Sequence, residues 1–315
     1  MRPRLVCLVG PTASGKTGLA LELARALDAE IVSADSRQVR RDLDVGTAKP
    51  TASERALVPH HALDLVGPAE PFDVARWRTA ALAAVADVQG RGRRVLVVGG
   101  TGLYVRALRY GLCPAPPRHA ALRAVLGRWA EREGTPALHR RLAVVDPTAA
   151  RRIHPNDPVR IVRALEVALV SGRRLSSWQA AHAREAPFDA LVIGLAVAPA
   201  ILDARIAARV DRMLAHGWLD EVRALAARGY ADDAPVWRTL GYAEMRAVVE
   251  GRATLADATA ATVLATRRFA KRQRTWFRRE PAVVWHDPDA DRARIAAAAE
   301  AFLASSRIAN PGDAE

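Results

Sequence analysis

Gly10, Pro11, Thr12, Ala13, Ser14, Gly15, Lys16 and Thr17 follow the pattern G-x-x-x-x-G-K-[ST]. Glycines at this spacing let backbone N–H groups close around phosphate oxygens. The lysine neutralises charge, and the last hydroxyl can reach a magnesium ion at a helix N-terminus. The loop therefore specifies a phosphate chain, not the group attached to it. Asp35 is the next residue with evident chemistry, in SADSRQVRRDLDVGTAKP among short polar and basic side chains. A carboxylate there could hold the magnesium of a bound nucleotide, as in a kinase, or accept a proton from a nucleophile. Its neighbours read as a binding loop rather than a plain strand end. Leu96, Val97 and Val98 run into GGTG, which offers backbone donors and the Thr101 hydroxyl but no second carboxylate.

These residues need elements that bring them to one crevice. Leu5 to Val9 predicts a buried strand and Gly18 to Leu27 a helix. Glu30 to Ser33 predicts a strand leading to Asp35, and Val95 to Val98 one leading to Thr101, with the helical DVARWRTAALAAVADVQG between them. Alternating strands and helices predict an α/β fold, a P-loop NTPase-like core with a parallel doubly wound sheet. Ligands of such sheets bind beyond the carboxyl ends of the strands.

The prolines of CPAPPRH, 113–119, mark a change of composition. Helical spacing follows over Ala120 to Glu133, Pro136 to Val144 and Pro158 to Val170, with Asp157 as N-cap and Pro158 in the first turn. The expected division is a core of 1–116 and 190–315, with the catalytic channel, and a helical insertion of 117–189. A strand from Ala190 to Ala196 returns the chain to the sheet. Helices from Ile201 to Arg228 and Leu255 to Arg279 follow, and Ser305 to Glu315 are expected to fray.

With 315 residues, half of them hydrophobic, the chain can bury a full core. A formal charge of +13 points to a polyanionic partner, nucleic acid first among them, although a biased genomic base composition also enriches arginine and alanine. Cys7 and Cys113 have neither metal-site nor disulfide spacing, and no apolar run is long enough for a signal or membrane segment. A cytoplasmic protein with no membrane contact is expected.

GPTASGKT at 10–17, SADSRQV at 33–39, DVGTAKP at 44–50, VVGGTGLY at 97–104, RIHPNDPVRIVRALEV at 152–167 and RRFAKRQRTWFR at 267–278 together resemble, in this order, the motifs of the bacterial tRNA dimethylallyltransferases, also called tRNA isopentenyltransferases. The resemblance covers nearly the whole chain. It implies that the loop holds the pyrophosphate of dimethylallyl diphosphate and that the five-carbon group goes to N6 of the adenosine 3′ of the anticodon. ATP is not consumed. The insertion grips the anticodon stem-loop, and the two substrates enter a channel from opposite ends.

The resemblance also implies roles. Asp35 matches the general base, Thr101 the residue contacting the target nucleotide, and Arg209 the catalytic arginine, with Arg205 one helical turn earlier as runner-up. Residues 10–17 hold the diphosphate, and Thr17 holds Mg2+. Asp35, Ser36, Arg37, Gln38, Thr101, Arg123, Val159, Arg160, Ile161, Val162, Arg163, Arg238, Gly241 and Tyr242 are the expected tRNA contacts, on a protein expected to act as a monomer. Arg160 and Arg163 lie one turn apart and could track a phosphate backbone, or form a solvated helix face. RRFAKRQRTWFRR reads equally as a tRNA-facing surface or as a core helix with charged flanks. His60 and His61 read as structural, and His154 with Asn156 and Asp157 as a capping group.

The chain departs from the family pattern at Arg40 and Asp42, where tyrosine and glycine are common, and at Gly102, where a larger residue is common. It carries no C-terminal zinc-finger segment like that of eukaryotic relatives, which favours a bacterial source. The alternatives are a P-loop kinase of a small metabolite and an ATP-switched nucleic-acid-binding protein. A related class transfers the same group to free adenine nucleotides.

Overall fold

Strand β1, Arg4–Val9, is buried over its last five residues because both faces of the sheet are covered at its centre. Leu5, Cys7 and Val9 point into one core and Val6 and Leu8 into another, as the two-residue period of a strand requires. The computed structural model describes residues 2–182 and 186–305. After β1 come α1, Lys16–Ala26; β2, Ala29–Ser33; α2, Ala52–Leu57; β3, His60–His61; α3, Val74–Gly90; β4, Arg94–Gly99; and α4, Gly102–Tyr110. Five helices follow: α5, Ala120–Glu133; α6, Thr135–Val145; α7, Pro147–Ala150; α8, Pro158–Ser171; and α9, Leu175–Ala181. The chain ends with β5, Asp189–Leu195; α10, Pro199–Ala215; α11, Trp218–Ala226; α12, Tyr242–Val249; α13, Leu255–Arg278; β6, Val283–His286; and α14, Arg292–Ala304.

The six strands are parallel in the order β3-β2-β4-β1-β5-β6. One face packs on α3 and α4 through Trp77, Val85, Tyr104 and Leu108, the other on α1 and α14 through Leu19, Leu23, Ile295 and Leu303. This is the expected doubly wound α/β fold with a P-loop NTPase-like core. Because β4 lies between β1 and β2, the residues following all three strands emerge side by side. Ala34 N donates to Val98 O at 2.7 Å and Thr101 N to Ala34 O at 3.1 Å, which extends this contact past the strand ends. Gly99 is required there, since a Cβ would stand 2.2 Å from Ala34 O.

The chain forms two compact units, residues Met1–Tyr110 with Ala186–Glu315, and Gly111–Glu185. The second begins before the expected residue 117 because the proline-rich segment is tied to its helices, with Arg163 Nη2 donating to Pro116 O at 2.6 Å. It ends before 189 because β5 begins there. Its core includes Leu126, Leu138, Leu142, Ile161 and Leu165. Asp157 caps α8 as expected, its carboxylate accepting from Arg160 N at 3.1 Å, and His154 Nδ1 accepts from Asn156 N.

Several elements differ from expectation. The single helix expected over Ile201 to Arg228 is two, broken at Gly217, whose φ of 87° is left-handed and open to glycine. The short edge strands β3 and β6 carry too little alternation to stand out in the sequence. Of the expected frayed tail, residues 306–315 lie outside the described residues. Among the described residues no helix is long and apolar enough to cross a membrane.

Candidate active site

The loop after β1 turns through left-handed Ala13 (φ 62°) and Gly15 (φ 88°) before α1 begins at Lys16. Lys16 Nζ folds back to donate to Pro11 O at 2.6 Å. Burial pushes its pKa down to about 7, although the Asp35 carboxylate works in the opposite direction. An open cleft of about 1070 Å³ lies over the loop, bordered by residues 13–19 and by Arg205, Arg209, Arg212, Arg292 and Asp289. Lysine, four arginines and a helix N-terminus make it an anion site.

Asp35 stands beyond β2 with Oδ1 accepting from Arg37 N at 2.9 Å. It lines a pocket with Thr12, Arg37, Thr47 and Arg209 on the polar side, and with Ile206, Val210, Met213, Leu240 and Phe269 on the apolar side. Arg37 lies 3.7 Å from the centre of the Phe269 ring, and burial pushes its pKa down to about 10. The Thr101 hydroxyl accepts from Ser36 N at 3.0 Å and donates to Ser36 Oγ at 3.2 Å. Gln38 accepts from Ser33 Oγ and donates to Ala48 O, holding the 44–50 loop against the end of β2.

Arg209 borders both the phosphate cleft and the Asp35 pocket. Its Nη2 donates to Thr47 O at 3.3 Å, and its pKa is lowered by burial, against the pull of Asp35. Arg205 borders only the cleft of the two and pairs with Asp289 at 2.9 Å. Between these two arginines, geometry therefore favours Arg209 as the group facing both chemical partners.

Two supports of this site are not among the expected site residues, although Gln273 lies within the 267–278 motif. Gln273, from α13, accepts from Thr12 N at 2.8 Å and donates to Gly100 O at 2.9 Å. Glu221, from α11, accepts from the amides of Asp44 and Val45 at 2.7 Å and Gly46 at 3.1 Å, and from Tyr242 Oη at 2.7 Å. The available signal for Gln273 is its helical spacing with Thr262, Thr266, Phe269 and Trp276, which places it on the face of α13 turned inward. The basic residues Arg268, Lys271, Arg272 and Arg278 are exposed while Ala270, Gln273 and Phe277 are buried, which is the core helix with charged flanks. Gly102 is required by the same helix, since a Cβ would lie 2.0 Å from Trp276 Cδ1. Of the other departures, Arg40 is buried and donates to Gly67, Pro68 and Glu70 carbonyls, and Asp42 pairs with Arg228 at 2.6 Å. His61 Nε2 meets the buried Glu30 carboxylate at 2.6 Å, in keeping with a structural role.

The expected tRNA contacts divide. Ser36, Val159, Arg160 and Arg238 are exposed, and Val162 is half-buried. Ile161 is fully buried in the helical core, so its side chain faces the protein. Tyr242 is also fully buried and holds Glu221, while Gly241, at φ 85°, stands where a Cβ would meet the Trp218 ring at 2.4 Å. The side chains of Ile161 and Tyr242 are taken up by the protein because the hydrophobic positions of α8 and the start of α12 turn inward. Arg123 and Arg163 both donate to the buried Glu166 carboxylate, at 2.8 and 2.7 Å, so their guanidinium groups already have an anion.

Among the described residues no three His, Cys, Asp or Glu side chains could hold a metal ion together. The exposed Thr17 at the start of α1 fits an ion that takes most of its oxygens from a bound diphosphate and water, the usual manner of Mg2+.

The IPP transferase family profile matches residues 38–280, and an isopentenyl transferase profile matches residues 3–58. A tRNA dimethylallyltransferase of Anaeromyxobacter dehalogenans is 54% identical, over 93% of this chain and 99% of that relative. One of Geobacter metallireducens is 49% identical, over 90% and 92%. The solved tRNA isopentenylpyrophosphate transferase of Bacillus halodurans is similar at a TM-score of 0.72 and 37% identity, covering 96% of this chain and 98% of that one. A eukaryotic dimethylallyltransferase captured acting on tRNA is similar at a TM-score of 0.79 and 26% identity, covering 96% and 79%. With a family match spanning most of its length and a close relative covering almost all of it, this chain belongs to the IPP transferase family.

Proposed function

We propose that this protein transfers the dimethylallyl group of dimethylallyl diphosphate to N6 of the adenosine 3′ of the anticodon in tRNA, acting as a monomer in the cytoplasm. The observation that carries the reading is Arg209, one guanidinium bordering both an anion cleft and a carboxylate pocket. A phosphoryl-transfer enzyme would need a second acidic group at the magnesium site, and GGTG supplies none.

In this reading the N6 amine attacks the allylic carbon, the C–O bond to diphosphate breaks, and Asp35 takes the proton lost by nitrogen. The adenosine first leaves its stack, at a cost of about a few kcal/mol. Residues 10–17, Lys16 and Arg209 stabilise the charge that grows on the leaving diphosphate. Thr17 would hold Mg2+ together with the diphosphate, and the ion would supply further charge neutralisation. Ser36 and Thr101 hold the nucleotide-facing loop beside Asp35, and the apolar side of the pocket suits a five-carbon hydrocarbon. Exposed Val159 and Arg160, with Arg238, are the proposed anticodon stem-loop contacts.

The test offers purified protein, Mg2+ and an unmodified anticodon stem-loop either radiolabelled dimethylallyl diphosphate or labelled ATP. Isoprenoid label in RNA is expected. Label from ATP alone, or ATP hydrolysis without RNA modification, would overturn the reading in favour of a kinase or a nucleotide switch. AMP competing as the acceptor would overturn the choice of tRNA.

A further inference from the structure

Helix α13 runs past the site with Thr262, Thr266, Phe269, Gln273 and Trp276 on one face. Thr262 and Thr266 line the Asp35 pocket and Phe269 underlies Arg37. Gln273 does something different, because its single amide is bonded to two separate loops. Oε1 accepts from Thr12 N in the phosphate loop at 2.8 Å, and Nε2 donates to Gly100 O at 2.9 Å, immediately before Thr101. Gln273 is 6% exposed, so neither bond competes freely with water. Gly100 makes room for it, since a Cβ there would stand 2.1 Å from Nε2.

An amide carries an acceptor and a donor at fixed geometry on one planar group, and glutamine has the reach to serve both loops at once. The two loops carry opposite halves of the reaction. One holds the diphosphate, and the other leads through Thr101 and Ser36 to Asp35. We infer that Gln273 is a positioning residue that sets the distance between the diphosphate loop and the nucleotide-facing loop, and so the approach of amine nitrogen to allylic carbon. The inference rests on the transferase reading for its chemistry, but the clamp itself is independent of it. Gln273 touches neither reacting atom; it acts through Thr12 and Gly100. A displacement of about 1 Å between reacting groups can lower a rate about a hundredfold, whereas the affinity of each loop for its own ligand need not change.

The experiment compares wild type with Gln273→Glu, which keeps the length and the acceptor but loses the donor, and Gln273→Met, which keeps the approximate volume and loses both bonds. Single-turnover transfer to saturating stem-loop RNA is expected to fall about 10- to 100-fold in both variants, with dissociation constants for each substrate within about threefold of wild type. Amide hydrogen exchange of the free protein is expected to rise together in residues 10–17 and 99–103 of Gln273→Met, with β1 and β4 unchanged. Unchanged exchange in both loops would overturn the clamp. A rate loss matched by an equal loss of affinity for one substrate would overturn the positioning role, leaving Gln273 as a support of one site only. If wild type transfers no isoprenoid label, the transferase reading fails, and the exchange data still decide whether the clamp exists.

Discussion

The hydroxyl of Thr101 accepts a hydrogen bond from the amide of Ser36 at 3.0 Å, joining the residue after Asp35 to the start of α4. Those residues are 65 apart in sequence, and they meet because β2 and β4 are neighbours. Thr101→Val should keep the volume, lose this bond and lower single-turnover transfer by about tenfold or more, since catalytic geometry at this scale is sensitive to small displacements. Thr101→Ser should restore most of the rate. Equal rates in valine and serine variants would mean that the hydroxyl has no part in arranging Asp35.

Asp35→Asn should retain the bond from Arg37 N and lose the proton acceptor. Transfer should drop by about 10²- to 10⁴-fold, the usual contribution of a general base. RNA affinity, measured by filter binding, should stay within a few-fold. A rate within tenfold of wild type would remove Asp35 from the proton-accepting role.

Lys16 makes a pH prediction whose sign follows from its depressed pKa, about 7 in the folded protein against a reference of 10.5. Below pH 7 the ammonium is charged in both folded and unfolded chains and its burial penalty is complete. Between about 7 and 10.5 only the unfolded chain keeps the proton, so this group makes the free protein more stable as pH rises through that window. Binding diphosphate favours the ammonium, so it should take up a proton at pH 8. Titration calorimetry in buffers of different ionisation enthalpy should show this uptake in wild type and a smaller one in Lys16→Met.

Glu166 sets a second pH dependence, within the helical unit. Burial pushes its carboxyl up, but hydrogen bonds from Arg123, Arg163 and the His119 amide outweigh burial and hold it at about 2. Its folded pKa is lower than the reference of 4.5, so the contribution is complete above pH 4.5 and lost as pH falls towards 2. Glu166→Ala leaves two arginines without their buried partner and should destabilise residues 111–185 by roughly 3–5 kcal/mol. Hydrogen exchange in α5 and α8 would report it, and unchanged protection would contradict the assignment.

Arg160 and Arg163 should behave differently towards tRNA despite their common spacing. Arg160 is exposed, and its ion pair with Asp157 at 3.5 Å is a solvent-facing one that a phosphate can replace, unlike the bonds of Arg163 to buried Glu166. Arg160→Ala should weaken RNA binding and reduce the salt slope by about one. Arg163→Ala should leave that slope unchanged and lower the stability of the helical unit, because its donors serve Glu166 and Pro116. The reverse pattern would return Arg163 to the RNA surface.

The phosphate loop, the strands leading to Asp35 and Thr101 and the caps of the helical unit were legible in the sequence because local chemistry determines them. A glycine-rich turn before a helix, an apolar run between breakers and an Asp-Pro N-cap each act within a few residues. The order of motifs also carried the family. Only the tertiary structure decided which arginine of α10 faces both sites, that Gln273 ties Thr12 to Gly100, and that Glu221 gathers three amides of the 44–46 loop. These contacts join residues far apart in sequence, and they depend on which helix face turns inward after the sheet has formed. The same cause took Tyr242 and Ile161 into the core and gave Arg123 and Arg163 to Glu166. A side chain's type states which bonds it can make, and the packing of distant elements states which partner it finds.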